Sequence, residues 1–168
     1  MRLLYNLFIL LFLLMPLLNT AQDFDGELES LAQTLAEKIN LKEKTKVAVW
    51  GFYSEEEEHE SLGNLLTEDF SIYLTNYAKN FGIVDRVHLH HILKEHGLQA
   101  EGYIDEKTTK KLGKFIAADA LVIGTYTIFE SEIKVRVRVL DTETALQFAG
   151  AIETLTMDEN IAKLLGKL

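Results

Sequence analysis

Residues 119–140 limit the fold of this chain more than any other stretch. Asp119 to Phe129 (DALVIGTYTIF) is apolar on both faces, which predicts a strand in the middle of a sheet, covered on each side. Residues 132–140 (EIKVRVRVL) alternate strictly: Ile133, Val135, Val137 and Val139 face one way, and Lys134, Arg136 and Arg138 face the other. Only Glu130 and Ser131 separate the two runs, so they predict an antiparallel hairpin. Asp141 to Thr144 reads as a turn and 145–155 as a third strand.

Upstream of the hairpin, helical and strand patterns take turns. Leu28, Leu31, Leu35 and Ile39 recur at helical spacing and predict a helix over 27–40. The Val-rich run 46–52 (KVAVWGF) predicts a strand buried on both faces. Residues 55–60 read as an acidic loop. Leu62, Leu66, Phe70, Tyr73 and Tyr77 form the main stripe of a helix over 61–80, widened by Leu65 and Leu74. A brief strand at 82–85 precedes a helix over about 86–96, stopped near Gly97. Asp105 is expected to cap a helix running to Phe115, and a short helix ends the chain. Helices and strands that alternate first and strands that run together later predict an α/β fold. Its sheet is mixed, parallel early and antiparallel late, with helices packed on it in a single domain.

The first 21 residues predict export. Arg2 supplies a basic start, Leu7 to Leu18 is apolar except for the helix-breaking Pro16, and Asn19, Thr20 and Ala21 are small or polar residues at a cleavage point. The expected division is a signal peptide at 1–21 and one domain at 22–168. An uncleaved N-terminal anchor is the alternative, and only then would the chain hold to a membrane. The domain then carries 16 Lys and Arg against 26 Asp and Glu, a net charge of −10. On that balance nucleic acid and anionic lipid are not expected as partners. The chain has no cysteine, so packing alone must stabilise it, and a lipid anchor on cysteine is not expected.

The sequence carries no phosphate-cradling glycine loop, no dinucleotide fingerprint, no nucleophile elbow and no H-E-x-x-H pair, so no catalytic residue and no cofactor is expected. Four of five histidines fall between 88 and 96, and His88, His91 and Glu95 could share a helix face and hold zinc or copper. Against that metal site, or a metal-dependent enzyme built on it, stands a plain solvated face, because Leu89, Ile92 and Leu93 define the opposite, buried side. The run Glu55 to Glu58 lacks the ligand alternation and turn glycine of a calcium loop. Gly124, in the middle of the central strand, is expected to be a structural residue that lets a helix pack closely.

Several segments together resemble the domain shared by FlgO and the periplasmic part of CsgG. They are VAVWGF, SLGNLLTEDF, FGIVDRVHLHHILKEHGL, KLGKFIAADALVIGTYT and VRVRVLDTETA, in that order over about residues 28–152. The resemblance implies a non-enzymatic envelope protein, periplasmic or associated with the outer membrane, that serves assembly through contacts with other envelope proteins or with itself. Flagellar motility and fibre secretion are the two settings it suggests. This chain departs from CsgG in lacking the lipidated cysteine and any insertion long enough for membrane-spanning hairpins, and has Thr144-Ala145 where relatives often have Thr-Gly.

Two further expectations concern charge. Arg86 opens a helix, where the macrodipole disfavours a cation, so it is expected to bridge to an acid elsewhere, with Asp119 the candidate. Lys134, Arg136 and Arg138 stand side by side and must lie on an open face or an edge strand, because covering three cations would be costly. They are either a solvated surface that deters aggregation or the partner-binding stripe.

Overall fold

A computed structural model describes residues 23–54, 59–85, 89, 91, 94–95 and 104–167. Among these, five strands form one sheet. They are β1 (Lys46–Ser54), β2 (Gly82–Ile83), β3 (Ala120–Ile128), β4 (Glu132–Asp141) and β5 (Gln147–Thr156), in the spatial order β2-β1-β3-β4-β5. β1 runs parallel to β2 and β3, whereas β3, β4 and β5 form an antiparallel meander. The mixed sheet and the placing of β3 at its centre are as the hydrophobic pattern predicts.

Helices α1 (Phe24–Asn40) and α2 (Glu60–Tyr77) lie on one face of the sheet, α3 (Glu106–Ile116) lies on the other, and the short α4 (Glu159–Leu164) packs at the end of the first layer. α1 starts three residues before the predicted boundary. The signal there is a cap and not an apolar period, since the Asp23 carboxylate accepts from the Gly26 N–H at 3.0 Å. Asp105 caps α3 as expected, accepting from Thr108 N–H at 2.7 Å. α2 ends at Tyr77, short of the predicted 80, where the Asn40 side chain accepts from the N–H groups of Lys79 and Asn80 and directs the chain toward β2. β2 is two residues long, and β5 begins at Gln147.

The main core lies between α1, α2 and the sheet. Leu28, Leu35, Leu62, Leu66 and Phe70 meet Val122, Val135 and Val139 there, all essentially without solvent contact. Leu74 is fully buried whereas Tyr73 and Tyr77 are half-buried, so the tyrosines flank the predicted stripe instead of forming its end. A smaller core on the other face joins Leu112 and Ile116 of α3 to Trp50, Leu121, Ile123 and Leu140.

Two helix glycines set how closely the layers approach. A Cβ on Gly63 of α2 would lie 2.5 Å from the Phe52 carbonyl oxygen, and one on Gly113 of α3 would lie 2.4 Å from the Thr142 Cβ. Glycine inside a helix costs about 1 kcal/mol relative to alanine, and here the close contact is what it permits. At Gly124 the expected helix contact is replaced by a ring. A Cβ there would lie 2.3 Å from Cδ1 of Phe52, its register partner on β1. The Phe52 ring leans into that space and in turn meets Phe70 of α2, with ring centroids 5.1 Å apart.

Candidate partner-binding face

β4 is an internal strand, so the edge-strand explanation for its cations does not hold. Lys134, Arg136 and Arg138 sit on the sheet face that α3 shares. α3 covers Leu121, Ile123 and Leu140 at one end of that face, and among the described residues no helix covers the β4–β5 end. The register places Lys134 between Thr127 and Thr154, Arg136 between Thr125 and Ile152, and Arg138 between Ile123 and Gly150. All three cations are half-buried, and Arg136 Nη1 donates to Thr127 Oγ1 at 3.1 Å. Long cationic side chains on a sheet surface can rest their apolar stems on neighbours while the charged heads stay in water. Ile152, beside Arg136, is 63% exposed and gives the stripe an apolar centre. Glu132, opposite Thr156, closes the stripe at the hairpin end.

The free edge of β5 is partly occupied by the chain's own side chains. Glu27 of α1 accepts from the N–H and hydroxyl of Thr156, Lys38 of α1 donates to the Gly150 carbonyl at 2.6 Å, and Glu153 accepts from the Thr154 N–H at 3.1 Å. These groups blunt the edge against strand pairing.

At the end of the sheet where β1 starts, two aspartates tie the loops. Asp119 Oδ2 accepts from the Thr45 hydroxyl at 2.7 Å and from the N–H groups of Thr45 and Lys46 at 2.9 and 3.0 Å. The Thr45 hydroxyl holds its carboxyl below the usual range, against the opposing effect of burial. Asp141 pairs with Lys44 and accepts from the Thr144 N–H at 2.8 Å. Burial pushes its carboxyl up, but Lys44 and Thr144 together outweigh it and hold it at about 2. That turn also sets Ala145 at φ 60°, a left-handed conformation that glycine adopts more easily. Arg86, the expected partner of Asp119, lies outside the described residues.

His88 also lies outside them, so the proposed His88, His91 and Glu95 set is not assembled among the described residues. His91 and Glu95 are both exposed, Leu89 of the same stretch is buried, and no group of three metal-binding side chains occurs among the described residues. No helix among them is long and apolar enough to cross a membrane.

A mixed five-stranded sheet with helices on both faces, and a cationic stripe on the half that no described helix covers, make an α/β domain. The chain belongs to the CsgG family. The model of that family, the curli production assembly/transport component CsgG, matches residues 28–145, close to the span of the resemblance seen in the sequence. No curated protein matches the chain. Among solved structures, the LpoB C-terminal domain from Salmonella enterica is similar with a TM-score of 0.64 at 12% identity, over 80% of this chain and 99% of that one. The LpoB C-terminal domain from Escherichia coli gives 0.59 at 10% identity, over 77% and 98%. Lipoprotein GNA1162 from Neisseria meningitidis gives 0.57 at 13% identity, over 69% and 83%. At such identities the likeness is one of fold.

Proposed function

We propose that this chain is an exported, non-enzymatic assembly factor of the bacterial envelope, a periplasmic or outer-membrane-associated adaptor that works by binding another envelope protein. The observation that carries this reading is the cationic stripe, on a sheet face that no described helix covers at that end, of a chain with many more acidic than basic residues. Membership of a family of assembly and transport components supports the class of role. The apolar segment at 7–18 supports export, and the cleaved protein would begin near Gln22.

In this reading Lys134, Arg136 and Arg138 are the partner-binding residues. They draw in an acidic surface, and Ile152 supplies the dry contact at the centre. Asp119 and Gly124 are structural: one ties the start of β1, the other makes room for Phe52. Arg86 is structural as well, through its own acid partner.

A photo-reactive residue at position 152 tests the contact in living cells. The expected result is an envelope-fraction adduct whose extra mass is not a multiple of this chain, and a control probe at Gln33 on α1 should not give it. No adduct at 152, or the same adduct from both sites, would defeat the proposal.

A further inference from the structure

The outer side of α3 is a second cationic surface, separate from the stripe on β4. The helix buries Thr109, Leu112, Gly113 and Ile116. At 3.6 residues per turn, Lys107, Lys111 and Lys114 fall within an arc of roughly 60° on the opposite side. All three are exposed, and none is in an ion pair among the described residues. The fourth lysine, Lys110, is half-buried and pairs with Glu106 at 2.6 Å, while Asp105 is occupied in capping the helix. These are the acids of α3 and its cap, so neither is left to neutralise the outer three. Phe115 lies half-buried at the edge of the lysines, with the Lys111 ammonium 5.5 Å from its ring centroid.

The type of cation separates the two surfaces. Arginine, with its flat paired donors, suits a dry contact with another protein, and two of the three cations on β4 are arginines. Lysine is a compact, strongly hydrated point charge that is depleted in protein interfaces. Three exposed lysines on a convex helix, with an aromatic ring beside them, suit a wet layer of anionic headgroups, where no fixed geometry is required. The net charge of −10 on the domain opposes approach to such a layer, so distance decides. The acids of α1 and α2 lie across the sheet, two packing layers of about 10 Å from α3. The Debye length at physiological ionic strength is ~8 Å, so their repulsion is largely screened while the lysines act at contact.

We infer that α3 rests on an anionic phospholipid surface, with Lys107, Lys111 and Lys114 among the headgroups and the acidic α1–α2 layer turned away. The inference deepens the envelope reading, on which it depends for where the chain meets lipid. It leaves the β4–β5 face to the protein partner. The helix stands about 10 Å above the sheet, so the two surfaces lie at different heights.

Flotation of the exported, purified protein with vesicles tests this, the two arms being phosphatidylethanolamine with and without phosphatidylglycerol. In ~0.15 M salt the wild type should partition onto the anionic vesicles in preference to the neutral ones, and ~0.5 M salt should remove the preference. A basic residue near such a surface is worth about fivefold in partitioning, so Lys107→Gln with Lys111→Gln and Lys114→Gln should lose about a hundredfold. Arginine at the same three positions should keep the binding. The apolar segment at 7–18, where retained, adds equally to both arms, so the anionic-to-neutral ratio is what is read. Circular dichroism melts should match the wild type, because the changed residues face away from the core. No preference for the anionic vesicles, or a folded glutamine variant that binds like the wild type, would overturn the inference. So would a protein adduct from a photo-reactive residue at position 111, which would make α3 a contact for an acidic protein instead. The cross-link from position 152 is read in cells and does not involve α3, so failure of one reading is distinguishable from failure of the other.

Discussion

On the α1–α2 side, strand β4 presents Ile133, Val135, Val137 and Val139, each 2% exposed or less, to a core with no room for water. On the α3 side the same strand presents Lys134, Arg136 and Arg138, all half-buried, to a surface that α3 covers only at one end. The difference arises from a side-chain period of two and nothing else, since adjacent residues share one backbone and one set of neighbouring strands. One face is therefore responsible for stability, and the other is free to be shaped by charge.

The sharpest way to break this comparison is to place the same new charge on both faces. Val137→Glu puts a carboxylate into the closed core with no cation to receive it, and should cost more than about 3 kcal/mol, enough to unfold much of the protein at 37 °C. Arg138→Glu, one residue on, should remain folded. Equilibrium urea unfolding of both variants checks this, and similar midpoints would show that the two faces are not different in kind.

The second effect probes how tightly the closed face is packed. Gly124→Ala introduces a Cβ 2.3 Å from the present position of the Phe52 ring, and that ring already rests on Phe70. Such overpacking should cost about 1–3 kcal/mol. Combining it with Phe52→Leu, which frees space, should recover part of the loss. Strictly additive losses in the double variant would show that Phe52 is not what occupies the glycine's space.

Much of this arrangement was legible in the sequence, for identifiable reasons. The faces of β4, the centrality of β3, the order of parallel and antiparallel pairing and the caps of Asp105 are local patterns. What was not legible depends on distant juxtaposition. Gly63 and Gly113 interrupt apolar helix stripes, and an interior helix glycine is a signal of close packing that went unused. The Lys44–Asp141 pair joins residues 97 apart in sequence. Net charge averages over the whole domain and does not show that three of its cations stand together on one face of β4.

The third effect is a matter of pH at the end of the sheet that both faces share. Asp141 is held at about 2 in the folded protein, below the usual carboxylate value near 3.8, and Asp119 is lowered as well. A carboxyl with a depressed folded value stabilises the protein above the unfolded value, and the contribution disappears as pH falls from about 4 toward 2. With partial solvent screening the Asp141 contribution should be on the order of 1–2 kcal/mol. Asp141→Asn should therefore be less stable than the wild type at pH 6, and the gap should narrow at pH 2.5. A gap unchanged between those two values would mean that ionisation of Asp141 is not what ties the turn.

The smallest effect belongs to the open face and decides whether its charges serve the fold. Arg136→Glu with Arg138→Glu removes the Arg136 bond to Thr127 and two apolar stems from the sheet surface, but leaves no cavity and buries no new charge, since both positions remain in contact with water. Replacing exposed or half-exposed residues of this kind usually changes stability little, and the two changes together should cost less than about 1 kcal/mol, or ~2–4 °C in the melting midpoint. Part of that cost comes from added negative charge on an already acidic chain, so it should shrink as salt is raised. Meanwhile the cross-link from position 152 should be lost. If instead the double variant melts many degrees lower at every salt concentration, the stripe belongs to the core of the fold, and the division of labour between the two faces of the sheet is wrong.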